Sequence, residues 1–138
     1  MITGRKKIIT LMDYNRLMHL IEPLRVKREM PLYVEQLLAR LQQADLVDQQ
    51  EVSQNIITMN SKILLKNLSN GREAKITLTY PKDANHLNSR ISVFSDIGVS
   101  LIGSKKGEIV TWKTPVGQGQ FCVEDVLYQP EASKEFQL

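Results

Sequence analysis

The stretch ISVFSDIGVSLIGSKKGEIVTW, residues 91–112, constrains the fold of this chain more than any other. Ile91, Val93 and Phe94 are β-branched or aromatic, residue types suited to a half-buried strand. Ser95 and Asp96 follow, and either side-chain oxygen can accept from the free N–H groups of a helix's first turn. Ile97, Leu101 and Ile102 then fall on one stripe of a two-turn helix. Gly103 is placed to stop that helix in a left-handed conformation, and Gly107 makes a second turn before the strand Ile109–Trp112. Strand, short helix, glycine turn and strand in about twenty residues require a sheet with one small helix packed on it.

The remaining sequence supplies that sheet's context. Thr10 is placed to cap a helix carrying Leu11, Tyr14, Leu17, Met18, Ile21 and Leu24 at helical spacing, with Asp13 at its positive end. Pro23 is expected to end this helix near Glu22, and Met30-Pro31 to reopen a second one. Val34, Leu37, Leu38, Leu41 and Ala44 form the second stripe, so residues 11–45 read as an antiparallel helical hairpin joined by PLRVKREMP. Residues 1–9 read as a loosely docked lead, and Val47–Asn55 as polar turn. Short strand candidates follow: Ile56-Ile57, Ile63–Leu65, Ile76–Tyr80, Ile91–Val93, Ile109–Trp112 and Phe121–Leu127. Asn70-Gly71 is the best hairpin turn, Gly117–Gly119 reads as a second hairpin loop, and the tail after Pro130 as irregular. The fold class is α+β: a short antiparallel helical hairpin over residues 1–50, then a mostly antiparallel β-sheet domain with one short helix over 51–138.

Composition excludes several function classes. With 138 residues, 42% apolar and 24% charged, the chain has the size and balance of one ordinary globular domain. No apolar run reaches membrane-spanning length and no signal-peptide core follows the basic MITGRKK start, so a cytoplasmic location is expected. The net charge of +3 is spread evenly, with eight Lys/Arg against six acids in residues 1–50 and ten against nine in 51–138. No linear basic stripe marks a nucleic-acid binder. The lone Cys122 reads as a buried structural thiol.

Catalytic constellations are equally absent from the linear pattern. His19 and His86 have no metal-ligand partner three or four residues away. Glu124 and Asp125 are neighbours on a strand and are expected to point to opposite faces. Neither Ser61 nor Cys122 has a base placed by spacing, and Gly103-Ser-Lys-Lys-Gly107 lacks the full phosphate-loop string. No cofactor, metal or catalytic residue is expected.

The run S-D-I-G-V-S-L-I-G-S-K-K-G-E resembles the S-P-x-G-x-A-L-L-G-x-x-x-G-D pattern in the C-terminal domain of the Gre transcript-cleavage factors. It matches at Ser95, Gly98, Leu101, Gly103 and Gly107, and departs at Asp96, Ser100, Ile102 and Glu108. Residues 57–73 and 126–132 resemble the family's short branch, the regulators of nucleoside diphosphate kinase. The resemblance covers residues 55–132 well and 8–50 loosely.

The resemblance implies an FKBP-like C-terminal domain that seats on the β′ coiled coil of bacterial RNA polymerase at the rim of the secondary channel. The junction Ser95, Asp96, Ile97 and Gly98 matches part of that contact. In cleaving members an acidic pair at the hairpin tip helps hold a catalytic Mg²⁺, where hard carboxylate oxygens suit a hard cation. Here the tip carries Arg25, Lys27 and Arg28 around Glu29, and arms of about 13 residues reach only about 20 Å. The expectation is a non-enzymatic elongation regulator that docks on the polymerase without stimulating cleavage, nucleic-acid contact being at most indirect. The alternatives are an FKBP-like prolyl isomerase, which needs an aromatic-lined pocket that three Phe and one Trp hardly supply, and a regulator of another protein such as nucleoside diphosphate kinase.

Overall fold

Thr10 starts the first helix as expected, its hydroxyl accepting from the Asp13 amide at 3.1 Å. The computed structural model describes residues 6–136. In it strand β1 (Ile8–Thr10) leads into helix α1 (Leu11–Val26), then helix α2 (Leu32–Gln43) and strand β2 (Asp45–Val47). Strands β3 (Lys62–Asn67), β4 (Glu73–Thr79) and β5 (Arg90–Ser92) precede the short helix α3 (Asp96–Leu101), and β6 (Ile109–Thr114) and β7 (Gly117–Tyr128) complete the sheet. The sheet runs β5-β4-β3-β7-β6, antiparallel except for the parallel β4–β5 pair. The α+β class and the helical hairpin are those expected.

Three local expectations need correction. Pro23 lies inside α1 rather than ending it. A proline removes one helical hydrogen bond, but the last turn closes around it: Lys27 N donates to Pro23 O, Arg28 N to Arg25 O and Glu29 N to Leu24 O. The last two bonds form a six-to-one and five-to-two helix end, with Arg28 in the left-handed position at φ 57°. The lead before Thr10 is docked as far as it is described, since β1 pairs in parallel with β2 and Ile9 is buried; residues 1–5 lie outside the described residues. Gly117–Gly119 is not a loop but the start of β7. The turn falls at Pro115-Val116, because Thr114 pairs with Gly117 and its hydroxyl donates to the Gly117 carbonyl.

Asn70-Gly71 does turn the β3–β4 hairpin, with Gly71 at φ 75°. The Ile56-Ile57 candidate is a single bridge from Ile56 to Lys105. Residues 81–89 form two short 3₁₀ turns, and the tail beyond Pro130 is a run of turns. No helix among the described residues is long and apolar enough to cross a membrane.

Hairpin and sheet share one core. Ile9, Leu17, Ile21, Val34, Leu37 and Leu41 belong to the same apolar cluster as Ile57, Ile63, Leu78, Leu101, Ile102 and Val123. Two cations join the parts at the C-terminal carbonyls of α3, where the helix dipole is negative. Lys7 Nζ donates to Ser100 O at 3.1 Å and to Ser104 Oγ, and Arg40 Nη1 donates to Val99 O. Burial, reinforced by the neighbouring Arg40 charge, lowers the Lys7 amine to about 8.

A carboxylate makes the other joint. Asp13 is buried, accepts from the Met59 amide at 3.1 Å through Oδ2, and receives the Tyr80 hydroxyl at 3.5 Å on Oδ1. Burial raises its pKa to about 6 against the Met59 amide, which favours the charged form, and the Glu131 charge adds to the rise. Burial, then the Asp13 charge, also pushes the Tyr80 phenol upward.

Candidate functional site

The inward face of the sheet does not close completely under α3. Between them lies an open groove of about 350 Å³, lined by Leu65, Ala74 and Ile76 of β3–β4, Ile91 of β5, Ile97 of α3, and Trp112 and Phe121 of β6–β7. Asn67, Asn70, Arg72 and Glu73 of the first hairpin form a polar rim at one end.

Its floor follows from strand register. Trp112 pairs with Gly119, and Phe121 stands one diagonal step away opposite Val110. Diagonal side chains on one sheet face lie about 7–8 Å apart by backbone, within reach of aromatic rings. Gly119 leaves the position opposite Trp112 empty, and a Cβ there would sit 2.7 Å from Phe121 Cε1 and 2.8 Å from Thr114 Cγ2. Phe121 therefore leans across the gap and stacks on Trp112 with centroids 4.0 Å apart and planes within 4°. The chain's one tryptophan and one of its three phenylalanines make a flat apolar platform, although aromatics are scarce in the sequence.

The four residues of the 95–98 junction divide by role. Ser95 caps α3: its hydroxyl accepts from the Gly98 amide at 3.0 Å and donates to the Ser92 carbonyl at 2.6 Å, so both its capacities are used inward. Gly98 is buried against the backbone of Ser92 and Val93, which leaves no room for a side chain. Asp96 is exposed in the first turn of α3, and Ile97 lines the groove. Ile97 thus forms a lip over the aromatic floor, with Asp96 before it in the exposed first turn.

Arg25, Lys27 and Arg28 stand elsewhere, at the end of the helical hairpin. Arg25 is held by Glu22, with Nη2 and Nε donating at 2.8 and 3.1 Å, which keeps the Glu22 carboxyl below its ordinary range. Lys27 and Arg28 have no ion pair among the described residues. Beside them Val26 and Leu32 are 71% and 68% exposed, an apolar pair at a cationic tip. No group of three or more His, Cys, Asp or Glu is arranged for a metal among the described residues.

Two further expectations change. Cys122 is half-buried, because it faces outward opposite Lys66 and Ile109. Around Glu124 and Asp125 the β3–β7 register shifts, so strict alternation fails there; Glu124 reaches Lys66 at 3.9 Å and Asp125 reaches Lys106 at 3.3 Å. They are separate ion pairs, not a carboxylate dyad.

The groove residues come from five strands and one helix, and linear spacing does not reveal them. The alternation of Val110 with Trp112, and of Gly119 with Phe121 and Val123, carried a signal for one face. It became readable only once the turn was placed at Pro115-Val116.

Fold and surface together define a small α+β module with an apolar groove beside a helix lip and a separate helical tip. The model of the transcription elongation factor GreA/GreB C-terminal domain matches residues 52–128. The chain belongs to the GreA/GreB family. It is 33% identical to the regulator of nucleoside diphosphate kinase of Escherichia coli, over 72% of this chain and 74% of that protein. It is 41% identical to the transcription elongation factor GreA of Thermosipho africanus, over 46% of this chain and 40% of that one. Among solved structures, a prokaryotic transcription elongation factor GreA/GreB from Nitrosomonas europaea superposes with a TM-score of 0.77 and 30% identity, covering 91% of this chain and all of that one.

Proposed function

We propose that this chain is a cytoplasmic regulator of transcription elongation that docks on bacterial RNA polymerase at the rim of the secondary channel and does not stimulate transcript cleavage. Residues 51–138 form the docking unit and residues 1–50 the hairpin beside it. The observation that carries the reading is the Trp112–Phe121 platform beside Ile97 of α3: an apolar, desolvating floor with a polar rim, in a chain of this family. Large aromatic anchors in a concave apolar setting dominate most protein interfaces. The β′ coiled coil is the partner segment we assign to this groove.

The absence of cleavage stimulation rests on the tip. Glu29 and Glu22 are its acids; Glu22 is engaged by Arg25, and Lys27 and Arg28 immediately precede Glu29. A second divalent cation would meet this net positive field rather than a carboxylate pair. The arms are also short, since 16 and 12 helical residues span about 24 and 18 Å. Lys27, Arg28, Val26 and Leu32 serve instead as a contact to a surface beside the channel.

The test is competition with a cleavage-competent Gre factor for core polymerase. The expected result is displacement without added transcript cleavage, with Trp112→Ala weakening binding about thirtyfold or more, as for a hot-spot aromatic. Failure to bind polymerase across salt conditions would overturn the proposal. The aromatic floor also favours a second reading, prolyl-peptide isomerisation in the groove. Accelerated isomerisation that is lost in Trp112→Ala would put that reading first.

A further inference from the structure

The outward face of the sheet, opposite the groove, gathers cations that the sequence keeps far apart. Register places Lys62 of β3 opposite Thr77 of β4, and Thr77 opposite Arg90 of β5. Lys75 stands one diagonal step from Lys62, opposite Leu64. Strands are about 4.8 Å apart, so three unmatched cations lie within roughly 10 Å of one another around a single threonine. All three are exposed, and none has an ion pair among the described residues. The same row ends on β7 with Tyr128 opposite Lys62, and Leu64 lies half-buried beside it.

The acids on this face are mostly committed. Glu124 pairs with Lys66, Asp125 with Lys106, and Glu135 accepts from the Tyr128 hydroxyl. Glu73, opposite Lys66 at the hairpin end and also at the polar rim of the groove, is the acid two residues from Lys75 on β4. A positive cluster on a solvated sheet face, with apolar and aromatic surface beside the charges, suits a flexible anionic chain with exposed planar groups. A duplex is stiffer and hides its bases, so it would use the charges but not Leu64 and Tyr128.

We propose that this outward face binds single-stranded RNA, with Lys62, Lys75 and Arg90 contacting successive phosphates across three strands. The site is distinct from the groove and does not depend on polymerase docking.

The experiment is fluorescence anisotropy of the full chain with a labelled uridine-rich RNA oligonucleotide over a salt series. Parallel arms use duplex DNA of the same length and labelled polyglutamate. For single-stranded nucleic acid, three phosphate contacts predict a slope of about −2 in log K against log salt. The triple variant Lys62→Ala/Lys75→Ala/Arg90→Ala is expected to lose at least about tenfold in affinity at low salt and to flatten that slope. These side chains are exposed, and circular dichroism checks that the variant folds. Glu73→Lys, which adds a fourth cation to the cluster, is expected to tighten binding. No RNA binding at low salt, an unchanged slope in the triple variant, or preference for duplex DNA or polyglutamate would each overturn the proposal.

Discussion

A methyl group added at Gly98 would lie 2.2 Å from the Ser92 carbonyl oxygen and 2.6 Å from Val93 Cα, both backbone atoms without freedom to retreat. Gly98→Ala should therefore destabilise by several kcal/mol, or prevent folding, through forced backbone displacement; thermal unfolding reads this directly. Ser95→Ala removes a helix cap and should cost about 1 kcal/mol. Asp13 makes a prediction of opposite character. Its folded pKa of about 6 lies above the unfolded value of 3.8, so its contribution is fully present below about pH 4 and is lost as pH rises through 6. A shift of about two units corresponds to roughly 3 kcal/mol. Asp13→Asn keeps an acceptor for the Met59 amide and should abolish that part of the pH dependence, so the stability difference between the two proteins should change between pH 4 and 6 and level off above. Urea titrations across that range give the answer. An equal pH profile for both would show that Asp13 ionises freely in the folded state.

At the scale of the element, α1 contains two departures from helical preference. Pro23 forfeits one backbone bond, and Arg28 holds the left-handed position that glycine fills without strain. Pro23→Ala and Arg28→Gly should each stabilise the chain by about 0.5–2 kcal/mol, measured as a rise in Tm. If Arg28→Gly leaves polymerase competition unchanged while Lys27→Ala weakens it, the tip contact rests on Lys27. Much of this level was legible beforehand. Thr10 and Ser95 announced their helices because a hydroxyl before an apolar stripe has few better uses, and Asn70-Gly71 announced its hairpin. Proline's local preference places the end of α1 near Glu22, and that preference yields because the following turn can still close. The lead strand is not legible in the sequence because Ile8 and Ile9 are too short a signal without β2, a partner more than thirty residues away.

For the whole molecule, one continuous core covers hairpin and sheet, and Lys7 and Arg40 fasten them at the end of α3. Residues 51–138 produced alone would expose Ile57, Met59 and Leu101, which Leu17, Ile21, Leu37 and Leu41 join in one cluster. That fragment should bind a hydrophobic dye and unfold at a markedly lower temperature than the full chain; equal Tm values would show that the sheet domain is self-sufficient. The amino-acid sequence by itself determined the class of fold, the helix caps, the first hairpin turn and the family, because each depends on residues within a few positions of one another. The tertiary structure alone decided the two surfaces. The groove floor exists because a turn at Pro115-Val116 sets Gly119 against Trp112 and frees Phe121 to stack. The outward cations meet because β3, β4 and β5 bring Lys62, Lys75 and Arg90 side by side across 28 residues of chain. Strand register is a property of the packed sheet, and no linear spacing specifies it.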